Sequence, residues 1–121
     1  MKQFREALRL EPSKLQILIY VARVLAADEN PKVRNGTEAV KIAERAVNLP
    51  GGNQSSVLDT LAVSYAEAGR FDDAVKTQQQ AIDLLGTDGS QDEKPAMQER
   101  LELYQKHQPW RESFRATPDK N

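Results

Sequence analysis

Apolar residues at helical spacing alternate with polar breakers along most of the chain. Leu58, Leu61 and Tyr65 recur at intervals of three and four residues, which places them on one face of a helix. Met97 and Tyr104 belong to a second stripe of the same kind near the end of the chain. The pattern predicts an all-α fold with helices over residues 2–10, 14–27, 37–48, 56–68, 72–85 and 93–106.

Capping residues and helix breakers set the predicted ends of these helices. Ser13 is the expected N-cap of the second helix, because the glutamine three residues later completes a capping box. Asn35 or Thr37 caps the third helix, and Gly69 ends the fourth in the left-handed conformation that glycine adopts readily. Gly86 is expected to end the fifth helix.

Small residues recur at long intervals, which indicates an internal repeat. Ala22 and Ala62 lie forty residues apart, and Ala39 and Ala74 lie thirty-five apart. The first unit is longer because its turn, residues 28–36, contains five additional residues. Two helices approach to about 8–10 Å only where their facing side chains are small. The spacing therefore predicts antiparallel helix pairs that cross at these alanines.

The second unit resembles the tetratricopeptide repeat family, and weaker similarity extends the match over residues 4–85. Its matching positions are Leu58, Leu61, Ala62, Tyr65, Gly69, Phe71, Ala74 and Ala81. Gln78 departs from the pattern, because the family prefers an aromatic residue there. The chain is most similar to the C-terminal repeats of bacterial members, which implies a short right-handed α-solenoid that ends in a capping helix.

The resemblance implies a single domain over residues 1–112. It would contain a half repeat at 1–12, a repeat with a long turn at 13–50, a second repeat at 53–86 and the capping helix at 92–108. Residues 113–121 are polar and are expected to be a disordered tail.

Members of this family bind protein segments on a concave face lined by the first helix of each pair. The positions that this implies for partner binding are Gln16, Ile19, Tyr20, Arg23, Asp59, Val63 and Glu67. One subclass clamps a chaperone carboxylate there with Lys, Asn and Arg, but this chain lacks those residues and Asp59 would repel a carboxylate. Ile19 and Tyr20 either anchor an apolar peptide or are covered by the chain's own termini or by upstream repeats.

The expected function is therefore a protein-interaction scaffold, and two alternatives remain open. The chain could be a structural end cap or an oligomerisation element of a longer array, with two copies pairing through the first helix as a homodimer. It could also bind RNA, as the related pentatricopeptide repeats do. Seventeen basic and eighteen acidic residues, with no run of one sign, argue against a nucleic-acid partner.

The sequence contains no set of residues that indicates catalysis, a cofactor or a metal site. It lacks cysteine, and His107 is its only histidine, without a second metal ligand nearby. Trp110 either anchors a partner or pins the end of the capping helix, and the second reading is favoured. The longest apolar stretch, residues 17–27, is interrupted by Arg23 and is too short to cross a membrane. With no signal peptide at its start, the chain is expected in the cytoplasm.

Overall fold

The computed structural model describes residues 15–52, 54–88 and 93–112. These residues form five helices and no strand, which confirms the helical part of the prediction. The helices are α1 (Leu15–Ala27), α2 (Gly36–Val47), α3 (Ser55–Glu67), α4 (Phe71–Asp88) and α5 (Lys94–Gln105). The helix predicted at 2–10, the Ser13 cap and the tail at 113–121 lie outside the described residues.

Most helix boundaries agree with the caps and breakers in the sequence. The Asn35 side chain accepts a hydrogen bond from the Glu38 amide at 3.1 Å, which identifies Asn35 as the N-cap of α2. Gly69 follows α3 with a φ of 83°, as its predicted left-handed position requires. The predicted stop at Gly86 is wrong, because α4 continues to Asp88. A glycine inside a helix costs only about 1 kcal/mol relative to alanine, which packing elsewhere along a helix can offset.

Each described helix packs against the next one in the chain, and α1 also contacts α3. Ala22, Ala39, Ala62 and Ala74 have no exposed surface, as expected for small residues at helix crossings. One apolar cluster joins α1, α2 and α3 and includes Ala74 of α4 and Tyr104 of α5, and a second joins the end of α4 to Met97 of α5. The stack is therefore continuous from α1 to α5.

The long turn between α1 and α2 is held by hydrogen bonds at both of its ends. Arg34 donates from Nη1 to the Asp28 carbonyl at 2.7 Å, and its Nε lies 3.3 Å from Glu67 Oε2. The Asn35 amide donates to the Leu25 carbonyl at 2.8 Å. The additional residues of this turn thus form contacts with the C-terminal ends of α1 and α3.

The chain reverses after α5 and returns to the end of α1. His107 has a φ of 60°, and its ring stacks on Phe71 with centroids 5.1 Å apart. Residues 109–112, termed here the C-terminal segment, then reach the C-terminal end of α1. The Glu112 amide donates to the Ala27 carbonyl at 2.8 Å, and Glu112 pairs with Asp28 in an isolated parallel bridge.

Candidate functional site

A single buried carboxylate, that of Asp59 in α3, connects four of the five helices. Arg23 of α1 donates from Nη1 to Asp59 Oδ2 at 2.8 Å. Arg100 of α5 donates from Nε to Oδ1 at 3.0 Å and from Nη2 to Oδ2 at 3.1 Å. Gln78 of α4 donates to Oδ1 at 2.9 Å. Asp59 is only 2% exposed, so this charge is paired and hydrogen-bonded within the protein.

Two further hydrogen bonds fix the side chains that surround Asp59. Gln78 Nε2 also donates to the Met97 carbonyl at 3.0 Å, which ties α4 to α5. Arg23 Nη1 lies 3.2 Å from Thr60 Oγ1, and that hydroxyl donates in turn to the Ser56 carbonyl one turn earlier. The arginine is thereby held in one orientation relative to α3.

The charges in this cluster stabilise one another against the cost of burial. Burial raises the pKa of the Asp59 carboxyl, whereas the positive charges of Arg23 and Arg100 lower it. The two charges together outweigh burial, so the pKa lies below its ordinary value. Burial lowers the pKa of Arg23, while Asp59 and Glu112 raise it above its ordinary value. Both groups therefore remain charged near neutral pH, and Asp59 acts as a fixed negative charge.

Two buried polar atoms have no hydrogen-bond partner among the described residues. They are the Gln78 Oε1 and the Tyr104 hydroxyl. Burial and the nearby Asp59 charge raise the pKa of Tyr104, so its hydroxyl stays neutral. The cluster thus consists of an ionised centre with neutral polar groups at its edge.

The C-terminal segment lies against this cluster through three consecutive side chains. Glu112 Oε2 accepts from Arg23 Nη2 at 2.8 Å, and Trp110 Nε1 donates to the same oxygen at 2.6 Å. Arg111 Nη1 lies 2.9 Å from Glu67 Oε1. The Arg100 guanidinium lies over the Trp110 ring, 4.9 Å from its centroid. An aromatic, a basic and an acidic side chain are therefore each matched by a group of the helical stack.

Three of the residues predicted from the sequence lie in this arrangement, namely Arg23, Asp59 and Glu67. The expectation that Asp59 repels a carboxylate is wrong, because Arg23 pairs with Asp59 and holds the Glu112 carboxylate with its remaining nitrogens. Asp59 and Val63, only 2% and 1% exposed, are covered by the chain itself and offer no surface to a partner.

The other predicted residues lie toward the start of α1. Gln16 is exposed, Ile19 is half-buried against the main apolar cluster, and Tyr20 is 41% exposed. Tyr20 makes further contacts of its own. The structure thus places Arg23, Asp59 and Glu67 beside the C-terminal segment or the residues that hold it, while Gln16, Ile19 and Tyr20 lie in the first half of α1.

Sequence reasoning missed Arg100, Gln78 and Glu112 as members of this site. A signal was present for the first two, because Arg100 falls on the apolar stripe of α5 and Gln78 replaces an expected aromatic residue. A polar residue at a buried register position requires a partner, and here that partner is Asp59. No signal in the sequence pointed to Glu112, which reaches Arg23 only because the chain reverses after α5.

Two shallow surface depressions lie outside this cluster. One, of about 300 Å³, lies between Gly69, Asp73 and His107 at the start of α4. The other, of about 280 Å³, is bordered by Lys41, Glu44 and Arg70. Both are open and lined by charged side chains, and neither involves Asp59 or the C-terminal segment.

Comparison with family models, curated proteins and solved structures found no match to this chain. None of the described helices combines the length and the apolar character that a membrane span requires. Within the described ranges, no three acidic or histidine side chains are grouped in a way that could bind a metal ion.

Proposed function

We propose that this chain is a protein-interaction scaffold of the tetratricopeptide kind, which binds an extended segment of a partner protein across α1 and α3. The surface in question, termed here the α1–α3 face, comprises Arg23, Glu67 and the carbonyl end of α1 at Ala27. One observation carries the proposal: this face holds an extended segment of the chain itself by charge pairs and a backbone hydrogen bond. The order of helix contacts and the buried alanines agree with stacked helix pairs in a superhelix.

Arg23 is the central recognition residue in this proposal. Its Nη1 is engaged by Asp59, which leaves Nε and Nη2 to hold one carboxylate at 3.2 and 2.8 Å. The planar fork of arginine donors suits a carboxylate well, and a preset orientation reduces the entropy lost on binding. Asp59 is a positioning residue, because it acts on a partner only through Arg23.

Glu67 supplies the opposite charge on the same face. Its carboxylate contacts Arg34 at 3.3 Å and Arg111 at 2.9 Å, and its side chain is 17% exposed. A positive and a negative group at separate positions would distinguish the direction in which a bound segment runs. Such charge complementarity contributes more to specificity than to affinity.

A structural end cap is the second candidate, and the burial of α5 favours it. Met97 and Tyr104 of α5 are 1% and 0% exposed, and Trp110 is packed against the main apolar cluster. These contacts cover the last helix pair, as a terminal element of a repeat array must. If the chain is an end cap, the C-terminal segment completes the cap and no partner segment displaces it.

A displayed library of random peptides, selected on the 121-residue chain, tests the proposed function. We expect enriched peptides to lose binding on the Arg23→Met and Glu67→Gln variants and to keep it on Arg70→Met. Arg70 is the matched control, since it is an exposed arginine paired with Asp73 outside this face. Circular dichroism checks that each variant is folded. Failure to enrich any peptide, or equal binding to all three variants, would favour the end cap.

A further inference from the structure

We propose that the α1–α3 face, together with Arg100 of α5, recognises a partner segment with an aromatic, a basic and an acidic residue in succession, and that Trp110, Arg111 and Glu112 occupy this place until such a partner displaces them. The inference rests on the proposed function and names the partner's chemistry. It makes the C-terminal segment an internal competitor for the site.

The side-chain contacts define what the site accepts at each position. The acid pairs with Arg23, whose nitrogens lie 2.8 and 3.2 Å from Glu112 Oε2. The basic residue pairs with Glu67 at 2.9 Å. The aromatic ring lies under the Arg100 guanidinium, where a cation–π contact favours an aromatic side chain over an aliphatic one. All three preferences follow from groups of the helical stack.

The backbone contact sets where a bound segment can lie. The last carbonyls of a helix have no partner within the helix, and the Ala27 carbonyl at the end of α1 accepts from the Glu112 amide. Any peptide bond can supply that amide, so the contact does not depend on sequence. An exogenous segment can therefore replace the internal one without losing this hydrogen bond.

The internal segment is held by partly exposed contacts, which permits its displacement. The side chains of the Arg23–Glu112 pair are 19% and 24% exposed, and that of Arg111 is 32% exposed. Ion pairs at such positions are weakened by solvent and by salt. By contrast, Asp59 and Arg100 are 3% and 9% exposed. The hydrogen bonds that join Asp59 to Arg100 and Gln78 involve no atom of the segment, so this part of the site can stay assembled when the segment leaves.

Intrinsic fluorescence provides a direct test, because Trp110 is the only tryptophan in the chain. The probe is a synthetic peptide of residues 107–114 carrying Trp110→Phe, which keeps an aromatic ring and contributes no tryptophan signal. The control peptide also carries Glu112→Gln. Each is titrated into the wild-type 121-residue chain and into its Arg70→Met variant, and Trp110 emission and acrylamide quenching are recorded.

We expect the probe to shift Trp110 emission to the red and to increase its quenching equally in both proteins. The control peptide should act more weakly, by up to about fivefold, because it lacks the charge that pairs with Arg23. No spectral change at millimolar probe, or equal effects of the two peptides, would overturn the inference. A doubled mass by light scattering at the working concentration would also overturn it, since the competitor would then be a second copy.

The library selection separates failure of this inference from failure of the proposed function. Peptides that require Arg23 but leave Trp110 emission unchanged would overturn the inference and leave the scaffold function standing. Enriched peptides with the aromatic–basic–acidic order that also expose Trp110 would support both. Absence of any Arg23-dependent peptide, together with no response to the probe, would overturn both.

Discussion

At the scale of single residues, Asp59 joins helices that lie far apart in the chain. Its carboxylate accepts from Arg23, Gln78 and Arg100, which belong to three other helices. An ion pair in a protein interior gains little over well-packed apolar residues, but removal of one partner leaves a buried charge without compensation. Removal of the Asp59 carboxylate alone, with Arg23 and Arg100 left in place, should therefore destabilise the folded state.

Asp59→Asn should lower the free energy of unfolding by about 3–5 kcal/mol, because it leaves two arginines without their buried counter-charge. Urea unfolding followed by circular dichroism measures the loss. Glu102→Gln, at an exposed acid on α5, is the matched control and should change stability by less than about 0.5 kcal/mol. A loss below about 1 kcal/mol in Asp59→Asn would contradict the assigned network.

The same carboxylate should make stability depend on acid pH. The pKa of Asp59 is lower in the folded chain than its ordinary value of 3.8, which applies to the unfolded chain. Its contribution is therefore complete above pH 3.8 and declines as the pH falls from there through the lower folded-state pKa. Urea midpoints between pH 6 and pH 2 should fall more steeply for the wild type than for Asp59→Asn. Parallel profiles would exclude Asp59 as the responsible group.

At the scale of elements, glycine positions decide how closely the helices and turns approach. A Cβ at Gly36, the first residue of α2, would lie 2.7 Å from the Ala68 amide nitrogen and 2.8 Å from the Glu67 carbonyl carbon. A Cβ at Gly69 would meet no atom within 4 Å, but this residue has a φ of 83°. The first glycine is required by contact between elements and the second by its own backbone conformation.

Gly36→Ala should therefore destabilise the chain more than Gly69→Ala does. The first change forces α2 away from the end of α3, at a cost of about 1–3 kcal/mol for overpacking. The second places an alanine in the left-handed region, at a cost of about 1–2 kcal/mol, with no clash to relieve. Thermal unfolding of both variants measures the difference. An unchanged melting temperature for Gly36→Ala would mean that the two elements do not touch there.

At the scale of the whole molecule, the chain combines a buried helical stack with a lightly held end. The stack is joined by two apolar clusters and by the Asp59 network, whereas the C-terminal segment is held by partly exposed ion pairs and by the packing of Trp110. Local opening of such a segment requires much less free energy than global unfolding. The segment should therefore open while the helices remain packed.

Glu112→Gln should increase hydrogen exchange at the amide of residue 112 and at the Trp110 indole by up to about fivefold, since a partly exposed ion pair is worth up to about 1 kcal/mol. Amides in the middle of α3 should keep their protection. Exchange followed by NMR measures both groups in one sample. If α3 lost protection to the same extent, the segment and the stack would unfold as one unit.

The sequence by itself determined the five described helices, the caps at Asn35 and Gly69 and the burial of the repeated alanines. These properties depend on residues a few positions apart, so local spacing is sufficient to predict them. Only the tertiary structure decided that Asp59 is covered, that Arg100 and Gln78 pair with it, and that Glu112 returns to Arg23. Those contacts join residues 19 to 89 positions apart, which local spacing cannot predict, and the contact of Glu112 also depends on the reversal after α5, which no periodicity in the sequence encodes.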